Sequence, residues 1–435
     1  MQRVAVTELK VGQRLKKPLY SRTGQLLLAD EQILTRKMWT SLEASGLKYV
    51  FLGEWDTSTA ARIETSCADY RTFGSDLMQK LQRQIEDEIN DTPQEVTPSG
   101  EPLSKRIQAR PAAQTSKADL EVQLGTYLNS VEKSAAILSG GIANEELPAA
   151  AQSATEQILG QFKRNPNIFF ALLRLRNVGA YLDQHSVNTA ALAMSIGTAM
   201  EFSELQVMEL GIAALFKDIG MRGAPPELLT ATRRLTPSEH VDIQKHTIAG
   251  LNSMQEVLGL QSSVRFSVYQ HHERADGMGY PKRRKKARMH TFSRIIAVAD
   301  AFDSLTSPRP WRPAMHPYRA MESLLHNSER AYDSVALRGL LQYTSLFPVG
   351  SLMRLDTGDI VRVIGTTPGH IHNPVVMVVR AETGSGREVD EIIDLLENRD
   401  VQMAAPFEGS LTKTTPLPEE ASFEDSPYQE PVFTA

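Results

Sequence analysis

Six residues of this chain, His185, Asp218, His246, His271, His272 and Asp300, are of types that hold transition metals. Neutral imidazoles mixed with carboxylates suit iron, manganese or zinc, whereas calcium and magnesium prefer all-oxygen surroundings. Taken singly, each has an ordinary explanation: His185 follows a helical apolar pattern with Asn188 and Leu192 on its face, where a hydrogen-bonded core histidine accounts for it equally well. Taken together they are either a metal site or scattered core and surface residues, and their types alone do not choose between these. Asp218 sharpens the question, because it closes the apolar run "ALFKDIGM" just before Gly220. A carboxylate at the carbonyl end of a helix is poorly placed electrostatically, so a positive group belongs nearby. Lys217 is adjacent, and an ammonium that keeps its proton cannot be a ligand. His271 and His272 are neighbours, and two such imidazoles reach one ion only if the backbone turns there, which Asp276-Gly277 and Gly279 permit.

The elements that must position these residues are mainly helical. From Leu120 to Tyr343 apolar residues recur at three- and four-residue spacing, as in "IFFALLRLRNVGAYLDQHSVNTAALAMSIGTAM", which predicts a large α-domain over residues 119–345. Residues 1–53 predict a β-rich module punctuated by Gly12, Pro18 and Thr23-Gly24, with a short helix from Arg36 to Ala44. A helical connector is expected over 54–90, and the Pro-, Ser-, Thr- and Gln-rich stretch 91–118 reads as a flexible linker. β-Branched runs between Gly and Asn-Pro turns predict a small β-module over 346–412. The acidic, Pro-rich end, 413–435, reads as a disordered tail.

At 435 residues, 41% hydrophobic and 23% charged, the chain is long enough for two or three domains. Its one cysteine, Cys67, excludes an intramolecular disulfide, and the first residues lack the apolar core of a secretory signal, so a cytoplasmic protein is expected. No run of apolar residues is long enough for a membrane span. A net charge of −5 argues against wholesale nucleic-acid binding, but it conceals "KRRKKAR", Lys282 to Arg288, with six basic residues in seven. That run is either a funnel or docking patch for an anionic ligand or acidic partner, or a solvated loop; the acidic tail could also cover it.

The motifs "YLDQHSVNTAALA", "ALFKDIGM", "KHTIAG", "HHERADGMGYP" and "IIAVADAFDSLTSPRPWRPA" resemble, in unbroken order from Leu159 to Leu325, those of the HD-GYP domain, a helical subgroup of the HD phosphohydrolases. The resemblance implies bacterial cyclic dinucleotide signalling. It implies a di- or trinuclear centre, usually iron or manganese, that activates water against a phosphodiester of cyclic di-GMP. It puts His185, Asp218, His246, His271, His272 and Asp300 on ligand positions, with Asp218 bridging, and Asp276, Gly277, Gly279, Tyr280 and Pro281 in the GYP turn. Arg309 and Arg312 match positions that contact the dinucleotide phosphates, a task suited to guanidinium forks.

Two positions depart from the pattern. Lys217 stands where the family has the histidine of its HD pair, and Met221 where it has a phosphate-facing lysine. One ligand set, Asp218, His246, His271 and His272, is complete; the other is reduced to His185, Asp218 and Asp300. The expectation is that the Lys217 ammonium stands in for one ion's charge, giving fewer metals than the family norm and weak or absent hydrolysis. The alternatives are that Lys217 turns to solvent along its flexible stem, that the protein is a working phosphodiesterase, or that it is a scaffold binding neither metal nor nucleotide.

Overall fold

The computed structural model describes residues 2–6, 9–17, 19–20, 26–28, 34–36, 38–40 and 49–52 of one unit, Met1–Thr72, and residues 75–107, 117–175, 181–255, 257–309 and 312–409 of a second, Phe73–Ala435. In the first unit, strands β1 (Gln2–Ala5), β2 (Leu19–Tyr20), β3 (Leu26–Leu28) and β4 (Tyr49–Leu52) form an antiparallel sheet of order β1-β4-β2-β3. Leu19 and Val50 are buried in its small core, and the Trp39 indole donates to Leu9 O at 3.1 Å. Most of the helix expected from Arg36 to Ala44, the connector before residue 75, and the acidic tail lie outside the described residues.

The second unit is mainly helical. Its helices are α1 (Ser75–Asp91), α2 (Lys117–Ser139), α3 (Leu147–Arg164), α4 (Pro166–Leu172), α5 (Tyr181–Ala199), α6 (Glu204–Phe216), α7 (Pro226–Leu229), α8 (Pro237–Gln244), α9 (His246–Gln255), α10 (Ser262–Gln270), α11 (Thr291–Thr306), α12 (Pro317–His326) and α13 (Ser334–Thr344). Helix α5 is the axis of the domain: every residue from Gln184 to Thr198 is buried, which a sequence apolar on all sides permits. It packs against α2, α6, α11 and α13. Helix α6 starts with a capping box between Ser203 and Gln206 and ends at Lys217. None of the helices among the described residues is long and apolar enough to cross a membrane.

A five-stranded antiparallel sheet closes the chain, with β5 (Leu352–Leu355), β6 (Ile360–Gly365), β7 (Val375–Arg380), β8 (Ile392–Asp394) and β9 (Met403–Pro406) in the order β8-β7-β6-β5-β9. Alternate residues Met353, Leu355, Val361, Val363, Val376 and Val378 lie in its core, as strands with one buried face require. Thr366 N donates to Asn167 Oδ1 at 2.8 Å, tying the sheet to α4.

The stretch expected to be a flexible linker behaves differently over residues 94–106. Thr291 N donates to Gln94 O at 2.9 Å, and Val96 N to Thr291 Oγ1 at 2.9 Å. Glu95 pairs with Arg294 at 2.6 Å, and Leu103, fully buried, donates through its N–H to Phe202 O at 3.0 Å. The composition is that of a linker because the strap is anchored mostly through its backbone. One buried leucine, worth roughly 1.5–3 kcal/mol, provides its apolar anchor.

Candidate metal centre

Asp218 lies just past the end of α6 and opens a 3-10 turn, Ile219–Gly223. Gly220 is required there, because a Cβ would stand 2.0 Å from His246 O and 2.5 Å from Gly250 N. That close approach brings Asp218 against the first turn of α9, where His246 sits. His271 caps α10, and the backbone then turns to present His272. The GYP turn folds back on this pair: Tyr280 N donates to His272 O at 3.1 Å, and the Tyr280 ring stacks on His272 with centroids 4.7 Å apart. Gly279 makes the fold-back possible, since a Cβ there would lie 2.4 Å from His272 O. The Asp276 carboxylate accepts from Met278 N at 2.9 Å and fixes the same turn.

The donor atoms fall into two groups that share Asp218. Asp218, His246, His271 and His272 each offer an atom within 4.8 Å of the others, and so do His185, Asp218 and Asp300. Asp218 Oδ1 faces His246 Nε2 at 3.5 Å and His271 Nε2 at 3.7 Å, while its Oδ2 faces His185 Nε2 at 3.9 Å and the Lys217 ammonium. The carboxylate therefore stands between the groups, where a bridging ligand would stand.

The first group suits a cation in its protonation chemistry as well as its residue types. His246 Nδ1 donates to Ile243 O at 2.7 Å, and His271 Nδ1 to Val268 O at 3.0 Å; carbonyls can only accept, so both Nδ1 atoms carry protons. In the neutral rings both Nε2 atoms are then lone pairs, yet they face each other across 3.2 Å. Two lone pairs at that distance repel unless a cation or an extra proton lies between them. Burial opposes the proton, pushing His246 down to about 4, and burial together with His271 holds His272 well below the usual imidazole range. Backbone carbonyls fixing Nδ1–H and leaving Nε2 free is the arrangement that orients histidine ligands.

The second group is organised around a cation already present. Lys217 is fully buried; its Nζ lies 2.8 Å from Asp300 Oδ1 and is hydrogen-bonded to Asp218. It does not turn to solvent. Burial alone would discharge the amine, but Asp218 and Asp300 outweigh it and raise the pKa, so the ammonium stays charged. Conversely, burial would raise both carboxyls, and Lys217 holds them well below the carboxylate range. His185 bonds to carboxylates at both nitrogens, Nδ1 to Asp303 at 2.7 Å and Nε2 to Asp300 at 2.9 Å. Burial and Lys217 pull it down, but the two acids prevail and raise it, so this imidazole takes a proton readily. Met221 is half-buried in the turn after Asp218.

Asp303 and Tyr181 also belong to the site. Asp303 also accepts from Asn188 Nδ2 at 2.9 Å and orients His185. It is three residues beyond Asp300 on one helix face, a spacing that could have revealed it. Tyr181, four residues before His185, stacks on that imidazole at 5.2 Å, with the Arg309 guanidinium 3.8 Å from its ring centroid. The two expected phosphate-binding arginines differ. Arg309 joins this stack and donates to Ser304 Oγ at 2.9 Å. Arg312 donates to Ser304 O at 2.8 Å, Leu305 O at 3.1 Å and Pro313 O at 3.3 Å, so its fork caps the end of α11. The basic run is divided too: Arg284 is buried and paired with Glu86, Lys286 reaches Glu329 and Asp333, and Lys282, Arg283, Lys285 and Arg288 are exposed.

Residues 168–335 match the family described as HD domain. Over 247 residues the chain is 27% identical to a cyclic di-GMP phosphodiesterase of Pseudomonas aeruginosa, covering 57% of this chain and 59% of that protein. It is 36% identical over 169 residues to the 3'3'-cGAMP-specific phosphodiesterase 1 of Vibrio cholerae, covering 38% of this chain and 39% of the relative. It is 33% identical over 175 residues to a cyclic di-GMP phosphodiesterase of Thermotoga maritima, covering 38% of this chain and 47% of that one. The matched region thus spans between 39% and 59% of these relatives' lengths.

Proposed function

We propose that the helical domain binds a cyclic dinucleotide, cyclic di-GMP or 3'3'-cGAMP, over a site with fewer ions than its relatives' chemistry calls for, and that its phosphodiester hydrolysis is weak or absent. The observation that carries this reading is the buried Lys217 ammonium bonded to both Asp218 and Asp300, where a second ion would need those same oxygens. At an effective dielectric near 20 and about 4 Å, the ammonium repels a dication by on the order of 8 kcal/mol before relaxation.

Asp218, His246, His271 and His272 would hold a divalent ion, iron or manganese in this reading, which supplies Lewis acidity toward a phosphoryl group when bound. The chain's own residues do the rest. Backbone carbonyls hold the His246 and His271 tautomers, Tyr280 buttresses His272, and Asp303 fixes His185. Arg309, braced by Tyr181 and Ser304, offers its guanidinium to a phosphate. The exposed part of the basic run and the GYP turn remain candidates for an acidic protein partner.

A working phosphodiesterase is the second reading, and one observation favours it: the donor atoms of His185, Asp218 and Asp300 also lie within 4.8 Å of one another. Metal content, dinucleotide binding and turnover measured on one preparation decide between them. About one ion per chain with binding and little turnover supports the proposal. Two firmly held ions with rapid turnover support the working enzyme, and neither metal nor nucleotide would leave a scaffold.

A further inference from the structure

Glu86 lies on α1, the helix that directly follows the N-terminal unit, and its position is set by a small apolar contact. Ile85 and Ile89, each 2% exposed, pack against Leu251, Phe266 and Tyr269. One turn of helix between them puts Glu86 over the end of α10. There its Oε1 accepts from the Tyr269 hydroxyl at 3.2 Å, and its Oε2 pairs with the Arg284 guanidinium. Arg284 is 6% exposed, so Glu86 neutralises a cation that has little access to water.

What Arg284 is attached to gives the pair its interest. Its backbone N–H donates to Glu273 Oε2 at 2.8 Å, and Lys282 N donates to Glu273 Oε1 at 2.7 Å. Glu273 is itself buried, and it is the residue after His272. The loop that these bonds close contains Tyr280, which stacks on His272 and bonds to its carbonyl. Thus a continuous series of contacts runs from α1 through Arg284 and Glu273 to His272, whose donor atom lies within 4.8 Å of Asp218's. Of the histidines in the complete ligand group, His246 and His271 have Nδ1 fixed by backbone carbonyls of their own α9 and α10 regions, whereas His272, beside its ring contacts with His246 and His271, is stacked and bonded by this loop.

We propose that Glu86 is a positioning residue for His272, acting through Arg284 and the loop 273–284, so that the metal-binding geometry depends on how α1 is docked. The inference rests on the metal reading of Asp218, His246, His271 and His272. It makes α1 the element through which a change at the N-terminal side of the domain would reach the site. Glu88, two residues on, serves as an internal control: it anchors α1 to α10 through Arg265 at 2.5 Å and Ser262 at 2.7 Å, with no bond to the loop.

The test is a cobalt(II) titration of metal-stripped full-length protein, read by visible absorption and by metal per chain, for wild type, Glu86→Gln, Glu88→Gln and Glu86→Gln combined with Arg284→Met. Glu86→Gln should weaken cobalt binding about tenfold, the scale on which groups behind a ligand act, and should alter the cobalt spectrum. Glu88→Gln should leave both within about twofold while lowering the thermal midpoint as much as Glu86→Gln does. The double variant removes the orphaned cation and should recover part of the affinity. A merely structural role predicts that Glu86→Gln and Glu88→Gln behave alike in cobalt binding, and that result overturns the proposal. Wild type that takes up no cobalt overturns the metal reading and this proposal with it, whereas wild-type uptake with an unchanged Glu86→Gln spectrum overturns this proposal alone.

Discussion

The two sides of Asp218 solve one electrostatic problem in opposite ways. On the Oδ1 side, the His246 and His271 Nε2 atoms face each other at 3.2 Å, His246 is pushed down to about 4 by burial, and His272 is held well below the imidazole range. On the Oδ2 side stands a buried ammonium, and His185 is pulled up by carboxylates at both nitrogens. One half therefore disfavours a proton on His246 and His272, while the other already contains a buried cation. The difference teaches that a buried ammonium can meet the charge requirement of Asp218 and Asp300 from within the fold.

The sharpest way to break this comparison is to remove ligands from each side. His271→Ala should abolish metal binding, because its Nε2 faces both His246 Nε2 at 3.2 Å and Asp218 Oδ1 at 3.7 Å. His185→Ala should leave metal per chain nearly unchanged. Elemental analysis of both variants checks this, and equal losses would show that the two sides work as one.

Next in size is the response of metal-stripped protein to pH. For His246 the unfolded chain titrates near 6.5 and the folded chain at about 4. Between those values the unfolded state binds more protons, so stability falls as pH drops through the window, by at most about 3 kcal/mol. His185 has the opposite sign: its folded pKa is raised, so its contribution is complete below the unfolded value and is lost as pH rises through the folded one. Histidine NMR titration should find His185 protonating at higher pH than free imidazole and His246 at lower. Matching titrations would erase the distinction between the halves.

Repair tests the same contrast in function. Lys217→His with Met221→Lys replaces the buried ammonium by a potential ligand and sets a cation in the turn beyond Asp218. The double variant should bind an extra metal and hydrolyse cyclic di-GMP at least about tenfold faster than the parent, about 1.4 kcal/mol in the barrier. Each single variant should do less. A parent that is already as fast would favour the working enzyme.

Much of this site was legible in the chain because residue type carries it. Lys217 beside Asp218 at the end of an apolar helix demanded an electrostatic explanation, and the helical period of α5 and α6 located both with their burial. The contributions made by backbone were not legible. The strap 94–106 reads as a linker because its contacts are largely N–H and C=O bonds that leave no side-chain pattern. "KRRKKAR" reads as one patch for a different reason, the distance of its partner along the chain: nothing in the run itself tells that Arg284 points inward to an acid 198 positions earlier. Arg309 and Arg312 likewise look equivalent in "SPRPWRPA", and only the fold separates a guanidinium laid on an aromatic ring from one wrapped around a helix end.

That separation gives the last and smallest prediction, which asks whether the lysine side has a ligand-binding role. Arg309 belongs to that side, since Tyr181 links it to His185 in a single stack. If the stack presents Arg309 to a phosphate, Arg309→Ala should weaken cyclic di-GMP binding about fivefold and flatten its dependence on salt. Three of the five N–H donors of Arg312 go to Ser304, Leu305 and Pro313 carbonyls that hold its fork at the helix end, so Arg312→Ala should change affinity no more than about twofold. Its effect should appear instead in stability, by about 1 kcal/mol, as the end of α11 loses its cap. Calorimetric titration at two salt concentrations and a thermal melt on each variant separate these outcomes. Equal losses of affinity would return Arg312 to the phosphate; no loss from either would move nucleotide binding away from the lysine side, toward the exposed bases around Lys282.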